Sequence, residues 1–143
     1  MSQSYILVVD DEPSVRALLR RFLEPAGYEI HEAENAESAV RLIEERSPAV
    51  AVCDVHMPGA NGLWLADQIR VASPTTALIL ATGDDEVPAG ESLRPGVVAY
   101  LVKPLDRALV LRAVEQGTQW SLQAEASGVR PKRRGQLGSG PAE

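Results

Sequence analysis

Four short stretches of this chain are apolar almost without interruption, and a fifth of similar length is mixed; a segment of helical length follows each. The apolar stretches are Tyr5–Val9 and residues 49–53, 77–81 and 97–102, and the mixed one is Glu29–Ala33. A strand that is apolar on both faces needs cover on both faces, which is the condition of a parallel sheet packed between helices. Strands that alternate with helices through short connections wind such a sheet right-handedly, and its ligands lie outside the carboxyl ends of the strands.

The helical segments carry their own ends. Pro13 suits a first helical turn ahead of Val15, Leu18, Leu19, Phe22 and Leu23, and Pro25 and Gly27 stop that helix. Asn35 is placed to cap a helix bearing Ala39, Val40, Leu42 and Ile43, and Asn61 one bearing Leu65, Ala66 and Ile69. Asp106 is placed to cap a last helix with Leu109, Val110, Ala113, Val114 and Gly117 on its inner side. Between the fourth and fifth strands, Pro88, Gly90, Pro95 and Gly96 leave room for only one or two helical turns. The expected order is βα repeated five times.

A chain of 143 residues with 45% apolar and 24% charged residues is sized for one core. The domain is expected over residues 1–125, and residues 126–143, rich in Gly, Pro, Arg and Lys, read as a flexible basic tail. The run Arg130-Pro131-Lys132-Arg133-Arg134 is expected to be solvated, with docking to an acidic partner or a nucleic acid as the alternative. The net charge of −6 argues against nonspecific nucleic-acid binding by the body. With no apolar run of membrane-spanning length, no secretory start and one cysteine, Cys53, the chain is expected to be cytoplasmic.

Polar residues at the strand ends form a short set: Asp10 and Asp11 after the first strand, Asp54 after the third, Thr82 after the fourth and Lys103 after the fifth. All five are expected to converge on one edge. Two unit charges ~4 Å apart repel by roughly 4 kcal/mol at an effective dielectric near 20, so three carboxylates there call for positive charge. A hard divalent cation with oxygen ligands, Mg²⁺, and Lys103 would supply it. The turn Asp10-Asp11-Glu12-Pro13 has no glycines to cradle a nucleotide, whereas a carboxylate nucleophile flanked by metal, lysine and hydroxyl suits aspartyl-phosphate chemistry.

Val8-Val9-Asp10-Asp11-Glu12-Pro13, Asp54-Val55-His56-Met57-Pro58-Gly59 with Gly62, Thr82-Gly83, and Tyr100-Leu101-Val102-Lys103-Pro104 together resemble the response-regulator receiver family of two-component signalling, from about residue 4 to residue 120. The resemblance implies an α/β fold of (βα)₅ type, doubly wound and flavodoxin-like, with five parallel strands in the order 2-1-3-4-5. It implies that Asp54 accepts a phosphoryl group from a histidine kinase or phosphotransfer protein. Asp10, Asp11, Asp54 and the backbone carbonyl of His56 would hold Mg²⁺, while Thr82 and Lys103 bind phosphoryl oxygens. Thr82 and Tyr100 would form a switch that changes the face made by the fourth helix, the fifth strand and the last helix. Such a module phosphorylates itself and slowly loses the group, without being a turnover enzyme.

His56 and Asp84 flank the phosphoryl position in this resemblance and are expected to approach one another and slow hydrolysis. His56 lacks the second His or Cys that a zinc site would need. His31 reads as a surface residue and Cys53 as a small buried hydrophobe. Trp64 is expected to face partly outward, and Trp120, beyond the sheet's reach, is a candidate for a partner or homodimer contact. Too few residues follow the last helix for an output domain, so signalling is expected through protein contacts. The broken segment before the fifth strand moves that expectation toward the first and last helices. The alternatives are a phosphorylation-independent interaction module and a metal-dependent phosphatase with an aspartyl nucleophile. Intact Asp54, Thr82 and Lys103 oppose the first, and nothing provides the second with a cap domain.

Overall fold

The computed structural model describes residues 5–83 and 95–128. Five strands form one parallel sheet: β1 (Tyr5–Val9), β2 (Glu29–Ala33), β3 (Val50–Asp54), β4 (Ala77–Thr82) and β5 (Val97–Val102), in the order β2-β1-β3-β4-β5. Four helices are described: α1 (Pro13–Leu23), α2 (Ala36–Glu45), α3 (Gly62–Ala72) and α4 (Arg107–Ala126). The expected α/β fold and strand order are both present. The short helix expected between β4 and β5 falls mostly on residues 84–94, outside the described residues.

Alternation along each strand divides the core in two. Leu7, Val9, Ala51, Cys53, Leu78 and Leu80 pack under α2 and α3 against Ala39, Ile43, Leu65 and Ile69. Ile6, Val8, Val50, Val52, Ile79 and Ala81 face the other way, toward Leu19 and Leu23 of α1 and Val110, Ala113 and Val114 of α4. Burial on both faces explains why β1, and β3 and β4 up to their last residues Asp54 and Thr82, are apolar. At the edge, β2 has only β1 as a neighbour and keeps Glu29, His31 and Glu32. Such charges discourage further strand pairing.

The helix starts follow the side chains named for them. Asn35 Oδ1 accepts from the Ser38 amide at 2.8 Å, Asn61 Oδ1 from the Leu63 and Trp64 amides at 3.0 and 2.9 Å, and Asp106 Oδ2 from the Leu109 amide at 2.9 Å. After α1, a 3₁₀ turn over Glu24–Ala26 ends at Gly27 in the left-handed region, φ 100°. Leu109 departs from expectation: it is 50% exposed. At about 100° per residue it lies a full step round from Val110, whereas Ala113, Val114, Gly117 and Ser121 stay within about 60° of it. Gly117 is small for a reason, since a Cβ there would lie 2.8 Å from Val50 Cγ2. No helix among the described residues is long and apolar enough to cross a membrane.

Candidate phosphoacceptor site

The sheet order makes β1 and β3 neighbours although β2 intervenes in sequence, and chain reversal between them opens the crevice where such sheets bind ligands. Asp10 follows β1 and Asp54 ends β3. Both are nearly buried, at 2% and 5% exposure, and Asp11 beside them is exposed. One carboxylate oxygen from each of Asp10, Asp11 and Asp54 lies within 4.8 Å of the others. The donors are all hard oxygens, which fits a hard divalent cation of the Mg²⁺ type.

Lys103 reaches this cluster from the end of β5. Its Nζ lies 2.9 Å from Asp10 Oδ2, 3.4 Å from Asp54 Oδ2 and 3.8 Å from Glu12 Oε1. A register shift between β4 and β5 leaves Thr82 opposite Val102, and the Lys103 amide then donates to the Thr82 carbonyl at 2.8 Å. Thr82, at 2% exposure, thus sits at the same edge. The Lys103–Pro104 peptide bond is cis.

Asp54 Oδ1 accepts from the His56 amide at 3.1 Å, and the Val55 amide donates to the Ala81 carbonyl at 2.8 Å, so the backbone that follows the carboxylate is tied down. Gly62, the first residue of α3, packs directly on that backbone: a Cβ there would lie 2.2 Å from the Asp54 carbonyl oxygen. Burial raises the pKa of Asp54, Asp10 adds to the rise by repulsion, and Lys103 opposes it. For Lys103, burial disfavours the charge, but its hydrogen bond and attraction to Asp10, with Asp54 behind, outweigh burial and raise the pKa. The site therefore holds a crowded carboxylate pair with one cation between them.

Asp10, Asp11, Asp54, Thr82 and Lys103 come to one edge as expected. His56 is exposed, with its backbone at the site. Asp84 lies outside the described residues. Tyr100 is half-buried in β5, packed beside the core under α2 and α3. Trp64 is 41% exposed in the first turn of α3. Trp120 is half-buried rather than freely presented, with the Arg70 guanidinium 5.3 Å from its ring centre, because α4 passes the end of α3 there. His31 is partly exposed, edge-on to Tyr5 and 2.7 Å from Glu29. Cys53 is fully buried, which pushes its thiol up to about 12 and leaves it inert at neutral pH.

Residues 6–115 match the family model for the response regulator receiver domain. The chain belongs to that family. It is 36% identical over 108 residues to the transcriptional regulatory protein SrrA of Staphylococcus aureus, a match covering 75% of this chain and 45% of that protein. The matched region thus spans about half the length of that curated relative. Among solved structures, it resembles the signal receiver domain of an HD domain-containing protein from Pseudomonas fluorescens, with TM-score 0.79, 28% identity and coverage of 85% of this chain and 99% of that one. It also resembles a CheY-like response regulator receiver domain from Methanospirillum hungatei, with TM-score 0.79, 26% identity and coverage of 85% and 98%. Receiver domains are signalling modules of two-component systems.

One contact at this site was not anticipated from sequence. The Arg16 guanidinium donates to the Asp10 backbone carbonyl at 2.6 Å. Its signal was the position: Arg16 shares the spacing of Leu19 and Leu23, the buried stripe of α1, where a solvated arginine has no place.

Proposed function

We propose that this receiver domain is cytoplasmic and takes a phosphoryl group onto Asp54 from a phosphohistidine on a sensor histidine kinase or phosphotransfer protein. The observation that carries the proposal is the Asp54 carboxylate, buried and crowded by Asp10, with Lys103 within reach of both. Burial strips water from that nucleophile, and the negative charge a phosphoryl group adds is met by Lys103 and a bound cation. An Asp54 oxygen attacks phosphorus in line, the P–O bond forms as the P–N bond breaks, and the departing imidazole takes up a proton.

Mg²⁺, held by Asp10, Asp11 and Asp54 with the His56 carbonyl, would neutralise charge on the transferring group. Lys103 pairs with a phosphoryl oxygen, and the Thr82 hydroxyl donates to another. Hydrolysis by water later returns inorganic phosphate and the free carboxylate, slowed by His56 and Asp84. Recruitment of Thr82, followed by Tyr100 on the neighbouring strand β5, carries the signal to the surface made by β5 and α4, where protein contacts read it out. Trp120, on α4, is a candidate contact for a partner or a second copy.

Incubating the protein with a small-molecule acyl phosphate, with and without Mg²⁺, and measuring intact mass tests this reading. A phosphoryl-sized gain that needs Mg²⁺ and is lost in Asp54→Asn supports it. No gain, together with no binding of beryllofluoride, points instead to a phosphorylation-independent interaction module.

A further inference from the structure

Each polar group of the nearly buried Asp10 has a partner. Its amide donates to the Ala33 carbonyl at 3.2 Å, its Oδ1 accepts from the Glu12 amide at 2.9 Å, and its Oδ2 accepts from Lys103 Nζ at 2.9 Å. Its carbonyl accepts from Arg16 Nη1 at 2.6 Å. That carbonyl lies in the peptide plane joining Asp10 to Asp11. Whatever holds the oxygen sets the direction in which the Asp11 carboxylate leaves the chain.

Arg16 is itself held. Its Nε donates to Glu32 Oε1 at 3.0 Å, and the other oxygen of Glu32 accepts from Arg20 Nε at 2.8 Å. The Arg16 side chain is only 14% exposed. A guanidinium can span the two acceptors because its donors form a planar fork; an ammonium has one nitrogen and cannot hold both in the same geometry. Glu32 stands on β2, next to the end of β1, and Arg16 stands on α1, so one side chain ties helix, edge strand and acidic loop together.

We infer that Arg16, braced by Glu32, is a positioning residue for Mg²⁺: it fixes the Asp10–Asp11 peptide so that both carboxylates meet one cation. This rests on the Mg²⁺ reading proposed above. The sign of the effect separates positioning from charge. A cation near a metal site weakens metal binding by repulsion, so if Arg16 acted only through its charge, Arg16→Met would tighten Mg²⁺. If it positions the loop, Arg16→Met weakens Mg²⁺, and groups that orient ligands in this way are worth tenfold or more in affinity.

The test is calorimetric titration of the full chain with Mg²⁺ alone, with far-UV circular dichroism to check folding. Arg16→Met is expected to bind about tenfold more weakly than wild type, and Arg16→Lys to restore little of the loss. Arg20→Met, which loses its pairs with Glu32 and Glu24 but does not touch Asp10, is expected to stay within about twofold. In phosphoryl uptake, Arg16→Met raises the Mg²⁺ needed for half-maximal rate and leaves the rate at saturating Mg²⁺ near wild type. Equal or tighter Mg²⁺ binding by Arg16→Met overturns the inference, as does equal weakening in Arg20→Met. Should Arg16→Met fail to fold, Glu32→Gln carries the test: weaker Mg²⁺ binding supports the inference, and unchanged binding overturns it. A wild-type protein that binds no Mg²⁺ overturns the reading of the site as well.

Discussion

Gly62→Ala is a one-carbon change that the structure places against the backbone of Asp54. The new Cβ would lie 2.2 Å from the Asp54 carbonyl oxygen, 2.9 Å from its carbonyl carbon and 3.0 Å from Val55 Cα. Relieving the shortest contact to about 3 Å needs a displacement of roughly 0.8 Å, and none of the three atoms belongs to a side chain that could rotate away. Overpacking that forces backbone to move costs about 1–3 kcal/mol, and backbone bonded across to β4 places this case at the upper end. For a domain of this size, that lowers the melting temperature by roughly 5–10 °C. Because the displaced atoms carry the Asp54 carboxylate, phosphoryl uptake should fall by about a hundredfold, the penalty typical of a misplacement near 1 Å. Thermal melts and uptake from an acyl phosphate measure the two effects. Gly27→Ala is the control: with φ 100° and nothing within 4 Å, it costs about 1–2 kcal/mol of backbone strain and leaves uptake unchanged. Wild-type stability and uptake in Gly62→Ala would refute the reasoning.

Gly117→Ala should destabilise by about 1 kcal/mol in chemical denaturation, because overlap with Val50 Cγ2 at 2.8 Å exceeds the ~1 kcal/mol that alanine gains in a helix interior. Stabilisation would show that α4 can lift off the sheet freely. Lys103→Met should cost roughly 2 kcal/mol without metal, less than a fully buried pair because Lys103 is 18% exposed, and added Mg²⁺ should recover part of it. Unchanged stability would contradict the charge balance drawn for Asp10 and Asp54. Glu32 has its pKa lowered by the hydrogen bond from Arg20, with burial opposing and Arg16 assisting. A depressed carboxylate stabilises above its ordinary pKa and loses that contribution as pH falls through the folded value. Glu32→Gln should therefore cost about 1 kcal/mol or less at neutral pH and match wild type once pH has fallen below the depressed folded value, as melts across pH would report.

Much of the fold was legible because it rests on local rules. The apolar runs of β1, β3 and β4 reported burial on two faces, and Asn35, Asn61 and Asp106 cap the helices they precede. The acids and lysine of the site were legible because topology alone brings the carboxyl ends of parallel strands together. The exposure of Leu109 was not, since a helix end can carry an apolar residue just outside the buried arc without breaking the pattern. Nor was the hold of Arg70 on the Pro74, Thr76 and Pro95 carbonyls, which keeps Trp120 half covered. Backbone carbonyls leave no mark in a sequence, so an arginine that serves them looks like any surface charge. Arg16 differs in that its place on the buried stripe of α1 sets it apart, although the Asp10 carbonyl it serves leaves no mark.

Whether Asp54 itself becomes the acyl phosphate is decided by chemical trapping. After incubation with an acyl phosphate and Mg²⁺, borohydride reduces an aspartyl phosphate to the alcohol, converting the acceptor to homoserine, and peptide mass spectrometry locates it. The account predicts homoserine at position 54, dependent on Mg²⁺. Conversion at another carboxylate, or none in protein that binds Mg²⁺, would contradict it.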